Sequence, residues 1–147
     1  MALRTVHRLR HYARGVIKPH IRGVSVLVID SEGRVLLVRH SYGRRSWALP
    51  GGGCGRGEDM HDCARRELRE ELGLDLASLT HLWDLQETLS GAPHTAHVFE
   101  ASAANAPVPD GREILAAQYF SPDALPEDTG PMARRRIAMW QEGSRPG

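Results

Sequence analysis

The chain has 147 residues, 41% of them hydrophobic, and a formal net charge of +1 with a sequence pI near 7.9. This length predicts a single domain with one hydrophobic core. A charge so close to neutral excludes a strong general attraction to nucleic acid or anionic lipid, and no apolar run is long enough to cross a membrane. Because the basic N-terminus lacks a sustained apolar segment, we expect no secretory signal and a cytoplasmic location.

The chain begins with a basic segment, residues 1–20, which we predict to be an N-terminal arm or helix. It is rich in arginine, and no acidic residue occurs before Asp30. Its apolar residues recur near helical spacing, at Leu3, Val6, Leu9, Ala13, Val16 and Ile17. Three interpretations fit: an organellar transit peptide, an arm that contacts phosphate or RNA, and a short helix packed on the domain or on a second subunit. We favour the packed helix, because arginine-rich helix faces are commonly solvated.

Residues 21–142 are predicted to be the folded domain and residues 143–147 a flexible tail. The β-branched run Gly23–Ile29 predicts a buried strand. The turn Asp30–Gly33 then leads to a returning strand, Arg34–His40, as in a hairpin. Later in the chain we expect strands over 79–89, 95–101 and 114–120 and a closing helix over 132–140. This mixture predicts an α/β fold with a mixed sheet covered by helices.

A glycine-rich segment, Trp47–Gly53, precedes an acidic helix. Its three consecutive glycines allow positive φ and a close approach of the backbone to other groups, at a cost in conformational entropy. A loop that enters a helix N-terminus also presents free backbone N–H groups, which suit phosphate. Alone, such a segment would most often be a simple turn. Beside the acidic helix, it indicates a loop that positions a diphosphate and metal ligands.

The helix predicted over Glu58–Leu72 carries three acidic residues on one side. Glu67, Glu70 and Glu71 fall at positions i, i+3 and i+4, which lie close together on a helix surface. Gly73 follows the helix, where a glycine in the left-handed conformation commonly ends it. Because like charges this close repel one another, we expect a cation to neutralise them.

Two kinds of cation could neutralise the acids. Arg65, Arg66 and Arg69 are interleaved with them, which would make the cluster an ordinary salt-bridged helix face in water. The alternative is a hard divalent cation, since Mg²⁺ prefers carboxylate oxygen and water to nitrogen or sulfur. We favour the metal, because the glycine-rich approach and the complete spacing accompany the acids.

The segment from Gly52 to Leu74 matches a known family motif at every position. It reads Gly52, five residues, Glu58, seven residues, Arg66-Glu67-Leu68, one residue, Glu70-Glu71, one residue and Gly73-Leu74. This pattern is the Nudix box, and the chain therefore resembles the Nudix hydrolases. The resemblance covers roughly residues 20–142 and implies a Nudix-type α/β/α sandwich with a central mixed β-sheet.

The resemblance also implies a metal site, since the box of these enzymes forms a loop-helix-loop that holds one or more divalent cations. By position, Glu67, Glu70 and Glu71 correspond to the metal ligands. The backbone of Gly51 or Gly52 corresponds to a carbonyl contact with the metal. The expected ion is Mg²⁺ or Mn²⁺.

Other residues resemble further parts of the Nudix site. Arg66 and Glu58 correspond to its structural pair, and some members use the acid at the position of Glu67 to activate water. Glu113 begins a segment that resembles the late strand of many members, in which an acid near the start reaches the metals or serves as the base. We give equal weight to the alternative that Glu113 is an exposed acid at the end of a strand. Many members have a glutamate where this chain has Gly55, which leaves open a more flexible loop or a changed number of metal ions. The predicted catalytic residues are Glu67, Glu70, Arg66 and Glu113.

Two cysteines and two histidines are weaker features. Cys54 and Cys63 flank the start of the acidic helix, and we predict reduced, partly buried thiols, with a disulfide as the less favoured alternative. His94 and His97 are predicted to lie on one strand face. They could line the substrate pocket, but we favour a surface or sheet-face position.

The resemblance implies hydrolysis of a diphosphate linkage in a nucleoside diphosphate derivative, and the Glu113 segment leans toward ADP-ribose-like or nucleotide-sugar substrates. The alternatives are a sanitising nucleoside triphosphate pyrophosphohydrolase and a non-catalytic nucleotide- or RNA-binding module. All the box acids are present, which favours catalysis. We expect a small-molecule nucleotide as partner, no membrane and no nucleic acid, and leave a homodimer open.

Overall fold

The computed structural model describes residues 21–43 and 45–144. The predicted N-terminal arm or helix, residues 1–20, lies outside them, as do residues 145–147 of the predicted tail. The described part forms β1 Ile21–Val28, β2 Val35–His40, β3 Gly51–Gly53, α1 Met60–Leu72, β4 Leu76–Leu89, β5 Ala92–Ala103, β6 Ile114–Phe120 and α2 Pro131–Ser144. Neither of these two helices is long and apolar enough to span a membrane.

The strands form two sheets that mix parallel and antiparallel pairing. The larger sheet has the order β3-β1-β5-β4. In it β1 and β5 run parallel, whereas β3 and β4 are antiparallel to their neighbours. Strands β2 and β6 form the second, antiparallel pair. The predicted mixed sheet is therefore confirmed.

Two hydrophobic clusters cover the two faces of the larger sheet. Val26 of β1 belongs to a cluster that includes Leu68 of α1. Its neighbour Leu27 belongs to a cluster that includes Ile137 of α2. Successive side chains of a strand point to opposite faces, so a nearly continuous apolar run such as β1 is suited to burial on both. The two helices thus lie on opposite sides of the sheet, and the predicted α/β/α sandwich is confirmed.

The predicted hairpin between the first two strands is wrong. Strands β1 and β2 meet at a bridge between Ile29 and Val35, after which β2 pairs with β6. Strand β5 pairs with one edge of β1 along its whole length, and β3 pairs with the other edge at Gly23–Ser25, so β2 meets this strand only beyond its end. The turn itself forms as expected, with Oδ1 of Asp30 accepting a hydrogen bond from the N–H of Arg34 at 2.8 Å.

Candidate metal centre

Helix α1 has a capping residue at each end. Oδ1 of Asp59, the N-cap, accepts hydrogen bonds from the N–H groups of His61 at 2.9 Å and Asp62 at 3.2 Å. Gly73 ends the helix in the left-handed conformation, with φ of 61°, as predicted. The helix begins at Met60 rather than at the predicted Glu58, because Asp59 takes the capping position and leaves Glu58 in the loop.

Arg66 is the centre of the hydrogen-bond network that arranges the acids. It donates to both carboxylate oxygens of Glu58, at 2.8 and 2.9 Å, and to the carbonyl of Gly53 at 3.0 Å. Its Nη1 lies 3.1 Å from Glu67 and 3.4 Å from Glu70. The hydrogen bonds with Glu58 are the largest influence on Arg66 and raise its pKa above the ordinary value. The guanidinium therefore stays charged, and Arg66 and Glu58 are paired as the sequence predicted.

Two glycines of the loop leave room for their neighbours. A Cβ built on Gly52 would overlap the carboxylate of Glu67. A Cβ built on Gly51 would overlap the backbone carbonyl of Val24, on the strand with which this segment pairs. Glycine at these two positions thus lets β3 lie close to β1 while Glu67 packs directly on the loop backbone.

The acids of α1 differ in their exposure to solvent. Glu67 and Glu71 are each 1% exposed, whereas the side chain of Glu70 is 29% exposed. Arg66 forms ion pairs with Glu58, Glu67 and Glu70. Burying carboxylates is costly unless cations or hydrogen bonds compensate. A donor set made of carboxylate oxygens fits a hard divalent cation such as Mg²⁺ or Mn²⁺.

Glu113 is connected to the end of α1 through a turn at Asp110. The N–H of Asp110 donates to the backbone carbonyl of Glu71 at 3.1 Å. Its Oδ1 accepts hydrogen bonds from the N–H groups of Arg112, Glu113 and Ile114, each at 2.9 Å. The turn brings the backbone of Glu113 near the end of the acidic helix. The role of its side chain stays a proposal.

The prediction of reduced cysteines is wrong, because Cys54 and Cys63 form a disulfide. Strand β3 ends beside the first turn of α1, which brings the two Cα atoms to 5.4 Å, within the span of a disulfide. The cysteines are nine positions apart, and their spacing alone could not reveal this approach. The bond closes the loop that contains Glu58.

His94 and His97 do not lie on one strand face as predicted. Both are in β5, where positions three apart point to opposite faces. His97 is buried on the α1 side and is hydrogen-bonded to Asp84 and Arg22. His94 lies on the α2 face of the sheet, where it lines a cavity.

This cavity has a volume of about 180 Å³ and lies between the sheet, the glycine-rich loop and α2. Its lining includes Ser25, Gly52, Gly53, His94 and Arg136. Arg136 is buried and donates hydrogen bonds to both carboxylate oxygens of Glu87, at 2.8 and 2.9 Å. Gly52 lines the cavity, and the carboxylate of Glu67 lies against the backbone of the same residue.

No sequence motif marks Arg22, Glu87 or Arg136 as a residue near the site. Helix packing brings Arg136 to Glu87, and strand pairing brings Arg22 to His97 on the other side of the sheet. Helical spacing could have indicated that Arg136 is buried, because it falls between the core positions Ala133 and Ile137 of α2. A charged residue on such a face is seldom buried without a partner.

Comparison with family models gives a match over most of the chain: the NUDIX domain model matches residues 19–141. The chain belongs to the Nudix family. The resemblance predicted from Gly52–Leu74 is confirmed, and α1 with the loop before it is the Nudix box of this chain.

Two curated relatives match part of this Nudix protein. The "ADP-ribose pyrophosphatase" of Mycobacterium tuberculosis is 37% identical over 87 residues, which cover 56% of this chain and 42% of the relative. The "RNA pyrophosphohydrolase" of Rhodospirillum rubrum is 37% identical over 79 residues, which cover 50% of this chain and 48% of the relative. The chain thus spans about half the length of the curated relatives that it matches.

Solved Nudix structures share the fold. The "MutT NUDIX hydrolase from Burkholderia pseudomallei" superposes with a TM-score of 0.73 at 25% identity and covers 82% of this chain and 97% of that one. The "MutT protein from Methanosarcina mazei Go1" gives a TM-score of 0.72 at 23% identity and covers 87% of this chain and 98% of that one. At 23% identity, the similarity to the Methanosarcina protein shows the fold alone.

Proposed function

We propose that this Nudix protein is a metal-dependent hydrolase that cleaves the diphosphate linkage of a nucleoside diphosphate derivative. The observation that carries the proposal is the placement of Glu67, which is buried between Arg66 and the backbone of Gly52 within a complete set of box acids. An ordinary charged helix face would leave its carboxylates in water, where exposed ion pairs contribute little to stability. The burial is better explained by a site that binds a cation.

The residues proposed to hold Mg²⁺ or Mn²⁺ are Glu67, Glu70, Glu71 and the backbone of Gly51 or Gly52. When bound, such a cation polarises phosphoryl oxygens and lowers the pKa of a coordinated water. Arg66 orients Glu67 and Glu70 through the contacts of its Nη1. Glu67 and Glu113 are the proposed candidates for the base that removes a proton from the attacking water.

The cavity beside Gly52 is the proposed position of the nucleoside part of the substrate. It combines polar groups from Ser25, His94 and Arg136 with a glycine backbone that leads to the acids. Binding sites of small molecules usually join a concave surface to a few placed polar groups in this way. A nucleoside here would direct its diphosphate toward Glu67.

ADP-ribose or a nucleotide sugar is the proposed substrate. The similarity to a protein named ADP-ribose pyrophosphatase supports it, as does the position of Glu113 near the end of α1. The second candidate is the pyrophosphate end of an RNA, which the similarity to a protein named RNA pyrophosphohydrolase favours. A nucleoside triphosphate is a further alternative within the same chemistry.

The test is a hydrolysis screen with Mg²⁺ and with Mn²⁺ in which the products are separated by chromatography. Product separation is needed because cleavage of the diphosphate in ADP-ribose gives AMP and ribose 5-phosphate and no inorganic phosphate. The panel contains ADP-ribose, nucleotide sugars, nucleoside triphosphates and triphosphorylated RNA, and chelated samples serve as the control. We expect one preferred substrate whose hydrolysis stops when the metal is removed. Hydrolysis that continues in chelator would contradict the metal site. Folded protein that binds nucleotide but hydrolyses nothing in the panel would support a non-catalytic binding module instead.

A further inference from the structure

A second cluster of titratable side chains lies outside the acid site, on the side of the sheet that faces α1. His81 and Asp84 are on β4, and His97 is opposite them on β5. His97 is buried, whereas the side chain of Asp84 is 44% exposed. The cluster is not part of the Nudix box.

A bulge in β4 creates this cluster. The pairing register with β5 shifts by one residue, as three pairs show: His81 with Phe99, Trp83 with Val98, and Asp84 with His97. In a regular strand His81 and Asp84, three positions apart, would point to opposite faces. The extra residue, Leu82, turns Asp84 onto the face of His81. Bulges commonly re-aim a side chain in this way and are frequent beside functional sites.

The hydrogen bonds fix which nitrogen of His97 carries the proton. Arginine has no acceptor, so the contact of Arg22 Nε with Nε2 of His97, at 3.2 Å, has the imidazole nitrogen as acceptor. The proton of the neutral ring is therefore on Nδ1, which donates to Asp84 Oδ1 at 2.7 Å. This hydrogen bond is the main reason that the pKa of Asp84 is lower than usual. Oδ1 of Asp84 also lies 2.7 Å from Nε2 of His81.

Arg22 continues the chain of contacts to the Nudix loop. Its Nη2 donates to the backbone carbonyl of Glu58 at 3.0 Å, and its own carbonyl accepts from the N–H of Cys54 at 2.9 Å. The carboxylate of Glu58 in turn holds Arg66, which contacts Glu67. An uninterrupted series of contacts thus runs from β4 to a proposed metal ligand.

The same three side chains offer metal-binding atoms that lie within 4.8 Å of one another. A cation at Nδ1 of His97 would need that nitrogen without its proton. The proton would then be on Nε2, where it would face the N–H of Arg22. The contact with Arg22 therefore favours a positioning role over a cation site.

We propose that Asp84 and His97 are positioning residues: they fix Arg22, which holds the backbone of Glu58 so that the Glu58–Arg66 pair presents Glu67 to the metal. The inference rests on the proposed function, since its consequence is measured at the metal site. Outer partners of metal ligands typically change metal affinity by tenfold or more when they are removed.

The test measures Mn²⁺ affinity, kcat and the Mg²⁺ requirement in matched variants. His97→Asn keeps a donor near Asp84 but has no group that reaches Arg22, whereas the longer amide of His97→Gln can still accept from it. We expect Mn²⁺ to bind about tenfold more weakly to His97→Asn, and His97→Gln to recover most of this loss. Arg22→Lys keeps the charge, but its one nitrogen cannot take the positions of both Nε and Nη2, which Arg22 uses for His97 and Glu58. It should therefore resemble His97→Asn and serves where that variant does not fold.

His81→Ala is the control, because it leaves the path from Asp84 through His97 intact. It should change Mn²⁺ affinity by less than about twofold, within the variation expected of a substitution away from the site. Wild-type affinity in both His97→Asn and Arg22→Lys would overturn the proposal. So would stoichiometric Zn²⁺ binding that requires both His81 and His97, since the cluster would then be a metal site.

The proposed function can fail separately from this inference. If the wild type binds Mn²⁺ but hydrolyses no substrate, the hydrolase proposal fails. The Mn²⁺ affinities of the variants then still decide whether Asp84 and His97 are positioning residues. If the wild type binds no Mn²⁺, the NMR signal of Arg66 Nε–H decides it. That signal should move in His97→Asn and Arg22→Lys but not in His81→Ala, and an unchanged signal in all three would contradict the positioning role.

Discussion

The carboxylate of Glu67 occupies the space that a Cβ atom on Gly52 would fill. The carboxylate lies directly on the backbone of the loop, and Arg66 holds it from the other side. The identities of these residues follow from the motif, and the sequence could predict them. Their contact could not be predicted, because it depends on how β3 pairs with β1 and where α1 then begins. The burial of Glu67 is the result of that pairing.

Replacing Gly52 by alanine tests this contact. The added Cβ would displace the carboxylate of Glu67, and a displacement of about 1 Å in a catalytic group can cost about a hundredfold in rate. We expect kcat to fall by about that factor and Mn²⁺ affinity to fall with it. Gly55→Ala is the matched control, because its Cβ would make an ordinary contact of 3.6 Å with Glu58. Equal activity in Gly52→Ala and Gly55→Ala would show that the fit of Glu67 on the loop is unimportant.

At the scale of elements, α1 was the easiest part of the fold to predict. Its acids and its C-terminal glycine are local signals, and the observed helix differs at its start because Asp59 acts as the cap. The disulfide and the separation of β1 from β2 were not predictable in this way. They depend on which segments become neighbours, and the local spacing of Cys54 and Cys63 carries no such information.

The disulfide between β3 and α1 is expected to stabilise the loop rather than to take part in hydrolysis. Closing a loop of about ten residues contributes about 2–3 kcal/mol through the unfolded state. Reduction, or replacement of Cys54 and Cys63 by serine, should therefore lower the free energy of unfolding by that amount. We expect kcat to change by less than about threefold at low temperature, because the hydrogen bonds of Arg66 with Glu58 still hold the loop, and a bond to a charged group contributes about 1.5–3 kcal/mol.

Urea unfolding with and without reductant measures the effect, and the double serine variant should be insensitive to reductant. Unchanged stability on reduction would contradict the proposed contribution of the disulfide. Loss of hydrolysis on reduction, while the protein stays folded, would show that the hydrogen bonds of Glu58 do not hold the loop on their own.

At the scale of the whole molecule, the fold brings three elements of the sequence to one place. The glycine-rich loop, α1 and the turn before β6 converge at the acids, while β1, β5 and α2 enclose the cavity beside them. The sequence predicted the sandwich, because the apolar runs and the box imply helices over a mixed sheet. It did not predict the residues around the cavity or the Arg22 contacts, since long-range strand register decides which polar side chains meet.

The most direct test of the metal-dependent hydrolase is a paired measurement of Mn²⁺ binding and hydrolysis in the wild type and in Glu70→Gln. The substitution keeps the shape of the side chain and removes one negative charge. Glu142→Gln, on an exposed position of α2, is the matched control. We predict that Glu70→Gln loses about a hundredfold or more in kcat and binds Mn²⁺ about tenfold more weakly, while Glu142→Gln behaves as the wild type. Wild-type hydrolysis and metal binding in Glu70→Gln would contradict the account.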